Sequence, residues 1–579
     1  MDYKKLVQTY EELEKTTKRL EKTFIISKFL KTISEENLKP TVLLLQGKVF
    51  SQSDERKIGV ASRLVLKAIS QATGIEAGKI EKEWAKKGDL GTVASEFVKT
   101  KKQATLFSRK LTIKKVFDNI RKLATLEGAG TVNRKVSLIA ELLTSAKPEE
   151  AKYIVRTILE ELRIGTAKGT LRDSIVWAYF PKAGVVYDEK KKSIELKDRK
   201  EYNNYADLVQ KAYDMSNDFG LVAEMAKKGK IKGIGLKIGT PIKVMLGPKE
   251  EDAKSAFARV GIPAQAEYKY DGFRIQIHKI GDKIELFTRN LEKVTKQFPE
   301  VVKYVKSHVK GKNFILDSEA VGFLAKTKAY LPFQRVSQRI KRKYHIESMA
   351  KEYPVEVNIF DIIAYNDENM ISKPFKERRA LLNKIVKNEK WKIVLSKAKI
   401  VKTEKQVNEF YKESVSKGHE GLMLKKLDAP YKPGARVGNM VKLKGTMEPF
   451  DLIITEAQWG EGKRAKWFSS FRLACLKDGK YVGIGKVGTG IKEKAEGVTF
   501  TQLTKLLKPL IISQKGKTAK VKPRIIVEVL YVEIQKSPTY SSGYALRFPR
   551  VLRLRHMEKS PRDITTLKEV EKYYKQQKK

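Results

Sequence analysis

The sequence has almost no cysteine and no long apolar run. Cys475 is the one cysteine in 579 residues, which excludes an internal disulfide and a cysteine-rich zinc site. The most apolar stretch, 525–534, is interrupted by Glu528 and Glu533 and is much shorter than the ~18 residues that span a bilayer. The first residues run directly into charged periodic sequence and lack the pattern of a signal peptide. We therefore expect a cytoplasmic protein that is neither secreted nor bound to a membrane.

Acidic residues are also scarce for the number of basic ones. Lys and Arg number 119 against 68 Asp and Glu, which leaves a net charge of +51. Such a charge repels itself in a compact state, and a polyanionic partner relieves that repulsion. Thermophile surfaces are also rich in lysine, but they are rich in glutamate as well. The imbalance therefore favours a nucleic-acid partner and a nucleoid-associated protein.

The chain is too long for one hydrophobic core, and its periodicity changes twice. Apolar residues recur at helical spacing near the start, as in Leu6, Tyr10 and Leu13. Alternating residues on both sides of the turn Gly281-Asp282 then predict a hairpin within a mixed α/β region. After Lys444, short strands separated by glycine turns, with 525–534 as one of them, predict a small β-barrel, and a basic helix follows from Leu567. We expect three domains, with bounds at 1–230, 231–445 and 446–579.

The run Glu267-Tyr268-Lys269-Tyr270-Asp271-Gly272-Phe273-Arg274 carries the most specific chemical signal. A lysine attacks a phosphate only when it is deprotonated, and nearby cations or desolvation favour that form. Arg274 follows Lys269 by five residues and is a candidate for such a cation. An ordinary charged turn ahead of a strand is the alternative interpretation of this run alone.

The run resembles the nucleotidyltransferase motif of ATP-dependent DNA ligases, RNA ligases and mRNA capping enzymes, in which the lysine bonds covalently to a nucleotide. Further segments resemble the other motifs of that superfamily, in the same order. The resemblance makes Lys269 the nucleophile and implies Mg²⁺, for which Mn²⁺ could substitute, held by Glu319 and Glu420. It implies contacts with ATP or AMP by further residues, namely Glu267, Arg274, Arg289, Glu319, Phe360, Arg436, Lys442 and Lys444. Of these, the resemblance implies that Glu267 and Phe360 recognise adenine.

Segments outside this core resemble one branch of the superfamily. The runs 87–91 and 162–173 resemble the helical DNA-binding domain of archaeal and eukaryotic replicative DNA ligases, and 459–462 and 485–490 resemble their oligonucleotide-binding (OB-fold) barrel. The implied fold is a multidomain α+β one: an all-helical N-terminal DNA-binding domain, an α/β adenylation domain and a C-terminal OB-fold barrel. The implied activity is ATP-dependent sealing of nicks in duplex DNA, in replication, repair and recombination, by a monomer.

Two alternatives remain beside this reading: an RNA-directed ligase or capping enzyme, and a DNA-binding protein without catalytic activity. The helical N-terminal third argues against the first, and the complete motif series argues against the second.

The chain also departs from the family pattern in three places, with Met440 where an aromatic residue is usual and Ser318 where glycine is more frequent. The C-terminal motif, 555–559, is one residue longer than usual, and we expect its Arg555 and Lys559 to contact the pyrophosphate.

One further segment predicts a protein partner. Gln103, Leu106 and Phe107 lie where archaeal ligases carry a short motif that binds the sliding clamp, and they resemble it in type and spacing. A loop whose two apolar side chains pack inward is the alternative.

Overall fold

The structure is a computed structural model, and it describes residues 1–577 apart from 53, 55, 101–109, 129, 332, 341, 343, 435–437, 445–447, 462, 463 and 494–496. The chain forms two compact units. The first contains 1–80, 90–414 and 419–443, and the second contains 81–89, 415–418 and 444–579. The predicted bounds of three domains stay a prediction.

The described residues up to Lys227 are mostly helical, which confirms the predicted helical N-terminal region. Each helix buries one face; α1, for example, buries Leu6, Tyr10 and Leu13. The helices are α1 Tyr3–Lys15, α2 Arg19–Lys31, α3 Glu35–Leu44, α4 Ser62–Thr73, α5 Ala77–Lys87, α6 Leu90–Lys99, α7 Ile113–Lys122, α8 Thr131–Ser145, α9 Pro148–Ile158, α10 Lys168–Tyr179, α11 Arg199–Ser216 and α12 Phe219–Lys227.

One hairpin interrupts this helical region and was not predicted. It joins β1, Val185–Asp188, to β2, Ser193–Leu196, in antiparallel register. The carboxylate of Asp188 accepts hydrogen bonds from the backbone N–H groups of Lys190 and Lys191, both at 2.9 Å, and so closes the turn.

The middle of the chain contains two sheets. Between and around their strands lie helices, with bounds α13 Ala253–Val260, α14 Pro299–His308, α15 Phe333–Ile340, α16 Ile346–Glu352, α17 Phe375–Ile385 and α18 Glu404–Ser416. The strands are β3 Lys249–Glu250, β4 Ala264–Lys269, β5 Phe273–Ile280, β6 Lys283–Thr288, β7 Asn313–Gly322, β8 Val355–Tyr365, β9 Glu368–Asn369, β10 Ile393–Leu395, β11 Ala398–Val401, β12 Gly421–Lys426 and β13 Met440–Leu443. One sheet has the order β11-β4-β12-β13-β3, and the other has β10-β8-β7-β5-β6 with β9 beside β8.

The two sheets face each other through one side of each. Side chains alternate between the faces of a strand, so Ala266 and Tyr268 of β4 enter a core with helix α13, while Glu267 and Lys269 point to the opposite face. On that opposite face, Met440 and Met423 of the first sheet pack with Ile315 and Ile363 of the second. The polar residues of the predicted site therefore line the space between two sheets.

The second unit is rich in strands. Its elements are β14 Phe450–Trp459, β15 Phe468–Lys477, β16 Lys480–Val487, α19 Phe500–Leu507, β17 Ile511–Lys515, β18 Thr518–Val521, β19 Ile526–Leu530, β20 Glu533–Lys536, β21 Tyr544–Arg547, β22 Arg550–Leu554 and α20 Leu567–Gln576. The main sheet runs β16-β15-β14-β18-β17, with β19 joining β14 to β22. Among the described residues, these pairings do not close into a barrel.

The run 525–534, expected to be one strand, is two. β19 pairs with β14 and β22, whereas β20 pairs with β21, so the chain changes partners after Leu530. The terminal helix α20 is as predicted and begins with a capping box: Glu569 donates its backbone N–H to the Thr566 hydroxyl, and its carboxylate accepts the N–H of Thr566. Within the part of the chain that the structure describes, no helix is long and apolar enough to cross a bilayer.

Candidate active site

Lys269 is the last residue of β4, and its ammonium group contacts a carboxylate from the neighbouring strand. The register of β4 and β12 places Lys269 opposite Gly421, and the backbone N–H of Glu420 donates to the Lys269 carbonyl oxygen at 2.8 Å. The Nζ of Lys269 lies 2.6 Å from Oε2 of Glu420, and both side chains are about one-fifth exposed. The predicted nucleophile and one predicted metal ligand are thus neighbours at a position that solvent reaches.

Two glycines permit this close arrangement. A Cβ on Gly272 would lie 2.4 Å from the carbonyl oxygen of Ala320 and 3.0 Å from Cγ of Glu319. A Cβ on Gly421 would lie 2.4 Å from the carbonyl oxygen of Leu443, and its φ of +138° is one that other residues rarely adopt. These positions require glycine because other strands pass directly over them.

Glu319, on β7, completes the group around the lysine. Burial raises the pKa of its carboxyl to about 8, although the charges of Lys269 and Arg274 oppose that rise. The nearby carboxylates of Glu420 and Asp317 raise the pKa further. A divalent cation would supply the positive charge that this pair of carboxylates needs. Mg²⁺ binds oxygen ligands and often takes only one or two carboxylates, with water and phosphate oxygens completing its shell. The pair Glu319 and Glu420 fits such an ion, and no group of three or more Asp, Glu, His or Cys placed to hold a metal ion occurs among the described residues.

Arg274 lies on β5 opposite Glu319, but its guanidinium group contacts a different acid. It donates two hydrogen bonds to the carboxylate of Asp317, the one from Nε at 2.7 Å, and one from Nη1 to the carbonyl oxygen of Met245 at 3.0 Å. The hydroxyl of Tyr431 donates to the same carboxylate at 2.8 Å. The ion-pair partner of Arg274 is thus Asp317, and the expected effect of Arg274 on Lys269 stays a prediction.

Glu267, on β4 of one sheet, and Phe360, on β8 of the facing sheet, meet at the side chain of Lys425. Glu267 is 2% exposed, and its Oε2 lies 2.8 Å from Nζ of Lys425 while its Oε1 accepts a hydrogen bond from Gln265 at 2.6 Å. The ring of Phe360 is half-buried, and Nζ of Lys425 lies 4.8 Å from its centre. The Cζ of Arg274 lies 5.1 Å from the same ring centre. The structure thus brings together the two residues predicted to recognise adenine.

The remaining predicted nucleotide contacts are more dispersed. Lys442, on β13, pairs in register with Met423 of β12 and therefore lies on the face that carries Lys269. Lys444 follows β13 directly and belongs to the second unit. Arg289 is exposed in the turn after β6. Arg436 lies outside the described residues, as do Gln103, Leu106 and Phe107 of the predicted clamp motif.

Arg555 and Lys559, the predicted pyrophosphate contacts, meet at one aspartate within the second unit. Nζ of Lys559 lies 2.6 Å from Oδ2 of Asp451, and Nε of Arg555 lies 3.7 Å from Oδ1 of the same residue. Arg555 also approaches Glu558, at 3.2 Å. The extra residue in this motif therefore does not separate its two cations.

Three contributors were not assigned from the sequence: Asp317, Lys425 and Tyr431. Asp317 is two residues before Glu319 on β7, and Lys425 is four residues after Gly421 on β12. Because side chains alternate along a strand, the even spacing places Asp317 on the face of Glu319, which the sequence had already singled out. Lys425 is five residues after Glu420, and that odd spacing gives no such signal. Tyr431 lies outside the strands, and only the folded chain places it beside Asp317.

Family models cover most of the chain. Residues 244–444 match the model described as ATP dependent DNA ligase domain. Residues 2–176 match the DNA ligase N terminus, and residues 464–558 match the ATP dependent DNA ligase C terminal region.

Relatives and a solved structure agree with these matches. A DNA ligase of Nanoarchaeum equitans is 46% identical, over 100% of this chain and 99% of that protein. A DNA ligase of Thermococcus fumicolans is 40% identical, over 99% of this chain and 98% of that protein. The solved structure named Pmar-Lig_PreS3 shares the fold, with a TM-score of 0.58 and 16% identity, over 95% of this chain and 99% of that one. These matches disfavour both an RNA-directed enzyme and a DNA-binding protein without activity. The chain belongs to the ATP-dependent DNA ligase family.

Proposed function

We propose that this ligase seals nicks in duplex DNA through a covalent bond between AMP and Nζ of Lys269. The contact between Lys269 and Glu420, beside the half-buried Glu319, carries the proposal, because it places an amine and two carboxylates at one accessible point. The amine attacks the α-phosphorus of ATP, a P–N bond forms, and the bond to pyrophosphate breaks as the nitrogen loses a proton.

Two transfers to DNA follow. An oxygen of the 5′-phosphate at the nick attacks the bound AMP, and the P–N bond breaks to return the free amine of Lys269. The 3′-hydroxyl then attacks the activated 5′-phosphate, and AMP leaves as the strand is closed. Each transfer moves negative charge between phosphate oxygens, so positioning and fixed positive charge are the main contributions of the protein.

The residues around Lys269 take the following roles in this proposal. Glu319 and Glu420 would hold Mg²⁺, which supplies positive charge beside the phosphate oxygens when bound. Glu267 and Phe360 contact adenine, and Arg274 is held by Asp317 where it can orient the nucleotide. Further cations contact ribose and phosphates, namely Arg289, Arg436, Lys442 and Lys444, while Arg555 and Lys559 contact the leaving pyrophosphate.

The order of transfers can be tested directly. The enzyme is first incubated with ATP labelled at the α-phosphate and freed of excess nucleotide, and then receives nicked duplex DNA. We expect the label to move from protein to DNA and then to free AMP as the nick closes. The proposal would be contradicted if the nicks were sealed while all the label stayed on the protein. A matched duplex with an RNA strand on both sides of the nick should be sealed much more slowly.

We also propose that the ligase is a monomer that acts at the nucleoid and binds a sliding clamp through Gln103, Leu106 and Phe107. The net charge of +51 and the spacing of that segment support this proposal. The variant Leu106→Ala/Phe107→Ala should lose binding to an immobilised clamp and keep its activity on nicked DNA. Undiminished clamp binding would refute this part of the proposal.

A further inference from the structure

Lys425 is a buried lysine that contacts both residues proposed to recognise the base. It is 4% exposed, near the end of β12, and its Nζ lies 2.8 Å from Oε2 of Glu267. The same Nζ lies 3.3 Å from the backbone carbonyl oxygen of Phe360 and 4.8 Å from the centre of the Phe360 ring. The Phe375 ring, at 4.6 Å, adds a second aromatic contact. A fully buried ammonium group is costly, so its partners here must compensate it closely.

The strand register explains why one lysine reaches both residues. Met423 pairs with Glu267, and Lys425 is two residues further on the same face, so Lys425 and Glu267 are diagonal neighbours on adjacent strands. Phe360 lies on β8 of the other sheet, and the ammonium group therefore links the facing sheets beside the predicted adenine pocket.

The hydrogen bonds around Glu267 leave it a fixed acceptor. Gln265 donates to Oε1 at 2.6 Å and Lys425 contacts Oε2 at 2.8 Å, so both oxygens are anchored. Each carboxylate oxygen can accept two hydrogen bonds, which leaves acceptor capacity for a ligand. An anchored acceptor suits the 6-amino group of adenine, which donates. The 6-oxo group of inosine or guanine presents an acceptor instead, and a fixed carboxylate cannot shift toward another donor.

We propose that Lys425 is a positioning residue that sets the preference of this ligase for a 6-amino purine by fixing the carboxylate of Glu267 and the ring of Phe360. The inference rests on the proposed role of Glu267 in adenine recognition. Lys425 acts through these two residues and does not itself take part in a bond-breaking step.

The test compares ATP with ITP, which differs from ATP only at position 6 and the adjoining N1. Self-adenylation and self-inosinylation are measured with α-labelled nucleotides to give KM and the maximal rate for each. In the wild type we expect a preference for ATP of about 100-fold or more. A site whose acceptor pairs with the 6-amino group of the nucleotide rejects an analogue that lacks this donor. Lys425→Met should reduce this preference by about ten-fold or more, mainly through KM for ATP, and Lys425→Arg should restore most of it.

A matched control removes a lysine that has an exposed partner. Lys376 pairs with Asp428 at 2.7 Å, and the two side chains are 59% and 65% exposed. Lys376→Met should leave the ratio of ATP to ITP unchanged. Equal slowing of both nucleotides by Lys425→Met, with an unchanged ratio, would show a merely structural ion pair and overturn the inference.

The double variant Glu267→Gln/Lys425→Met keeps the experiment decisive if Lys425→Met alone does not fold, because it removes both partners of the buried pair. Arg379, whose Nη1 lies 3.9 Å from Oε1 of Glu267, keeps its hydrogen bonds to Ser396 in this variant. If Lys425 acts through Glu267, the double variant should have the same ATP-to-ITP ratio as Glu267→Gln alone. Independent, multiplying effects of the two substitutions would refute the inference. An unchanged ratio in Glu267→Gln would instead refute the proposed role of Glu267, so the two failures are distinguishable.

Discussion

Replacing Asp317 with asparagine should destabilise the ligase strongly, because it removes the charge that balances Arg274. Asp317 is fully buried, and it accepts hydrogen bonds from Nε and Nη2 of Arg274 and from the hydroxyl of Tyr431. Asparagine has nearly the same shape, so packing is retained and the change isolates the charge. The Arg274 side chain is 15% exposed, too little for water to replace the lost carboxylate.

The expected cost is about 3–5 kcal/mol in the free energy of unfolding, which is typical when one partner of a buried ion pair is removed. We expect a cost near the lower end of this range, since the asparagine oxygen can still accept a hydrogen bond from Nε of Arg274. Urea unfolding of the full chain, followed by tryptophan fluorescence, measures the shift, and Trp391 reports from the same unit.

Asp428→Asn is the matched control, because its partner Lys376 is exposed and water can replace the lost contact. This variant should unfold almost as the wild type does. Equal shifts for Asp317→Asn and Asp428→Asn would refute the reasoning, because they would mean that burial of the pair adds nothing.

Two further predictions concern the same unit. Burial lowers the pKa of His278 to about 3, and its Nδ1 accepts the N–H of Gly239 at 2.9 Å. The unfolded chain binds that proton near pH 6.5, so stability should fall as the pH drops from about 6.5 to 3, with a slope contribution of up to about 1.4 kcal/mol per pH unit. As the pH drops across this range, the urea midpoint of unfolding should fall less steeply for His278→Gln than for the wild type or for His345→Gln, the control at an exposed histidine. Equal pH dependence of the three proteins would refute the assignment of this effect to His278. Gly272→Ala should cost about 1–3 kcal/mol and slow self-adenylation at least about ten-fold, since its Cβ would meet the Ala320 carbonyl oxygen at 2.4 Å. Gly235→Ala, where a Cβ meets nothing within 4 Å, is the control, and equal behaviour of the two variants would contradict the prediction.

Residues that act within one continuous segment could be predicted from the sequence. The eight residues from Glu267 to Arg274 form the end of β4, a tight turn and the start of β5, so their order along the chain already reflects their order in space. The hairpin at Gly281-Asp282 was confirmed for the same reason, because β5 and β6 pair across that short turn. Local alternation predicts the hairpin, and the resemblance of one continuous segment to a known motif predicts the residues around Lys269.

Contacts across sheets could not be predicted in this way. The pairing of Arg274 with Asp317 and Tyr431 depends on how distant segments fold together, since they are 43 and 157 residues from Arg274. The partner change that separates β19 from β20 likewise depends on which strands lie alongside, because the run 525–534, apolar apart from Glu528 and Glu533, predicts a single strand. Tertiary packing determines these features, and the alternation of polar and apolar residues along one segment does not indicate which distant segments pack against it.

The location of the covalent AMP tests the central claim most directly. The ligase is incubated with α-labelled ATP and Mg²⁺, digested, and the labelled peptide is sequenced by mass spectrometry. The account predicts one labelled site, Lys269, no label on Lys269→Ala, and normal labelling of Lys376→Ala. Label on a different residue, or equal labelling of Lys269→Ala, would contradict it.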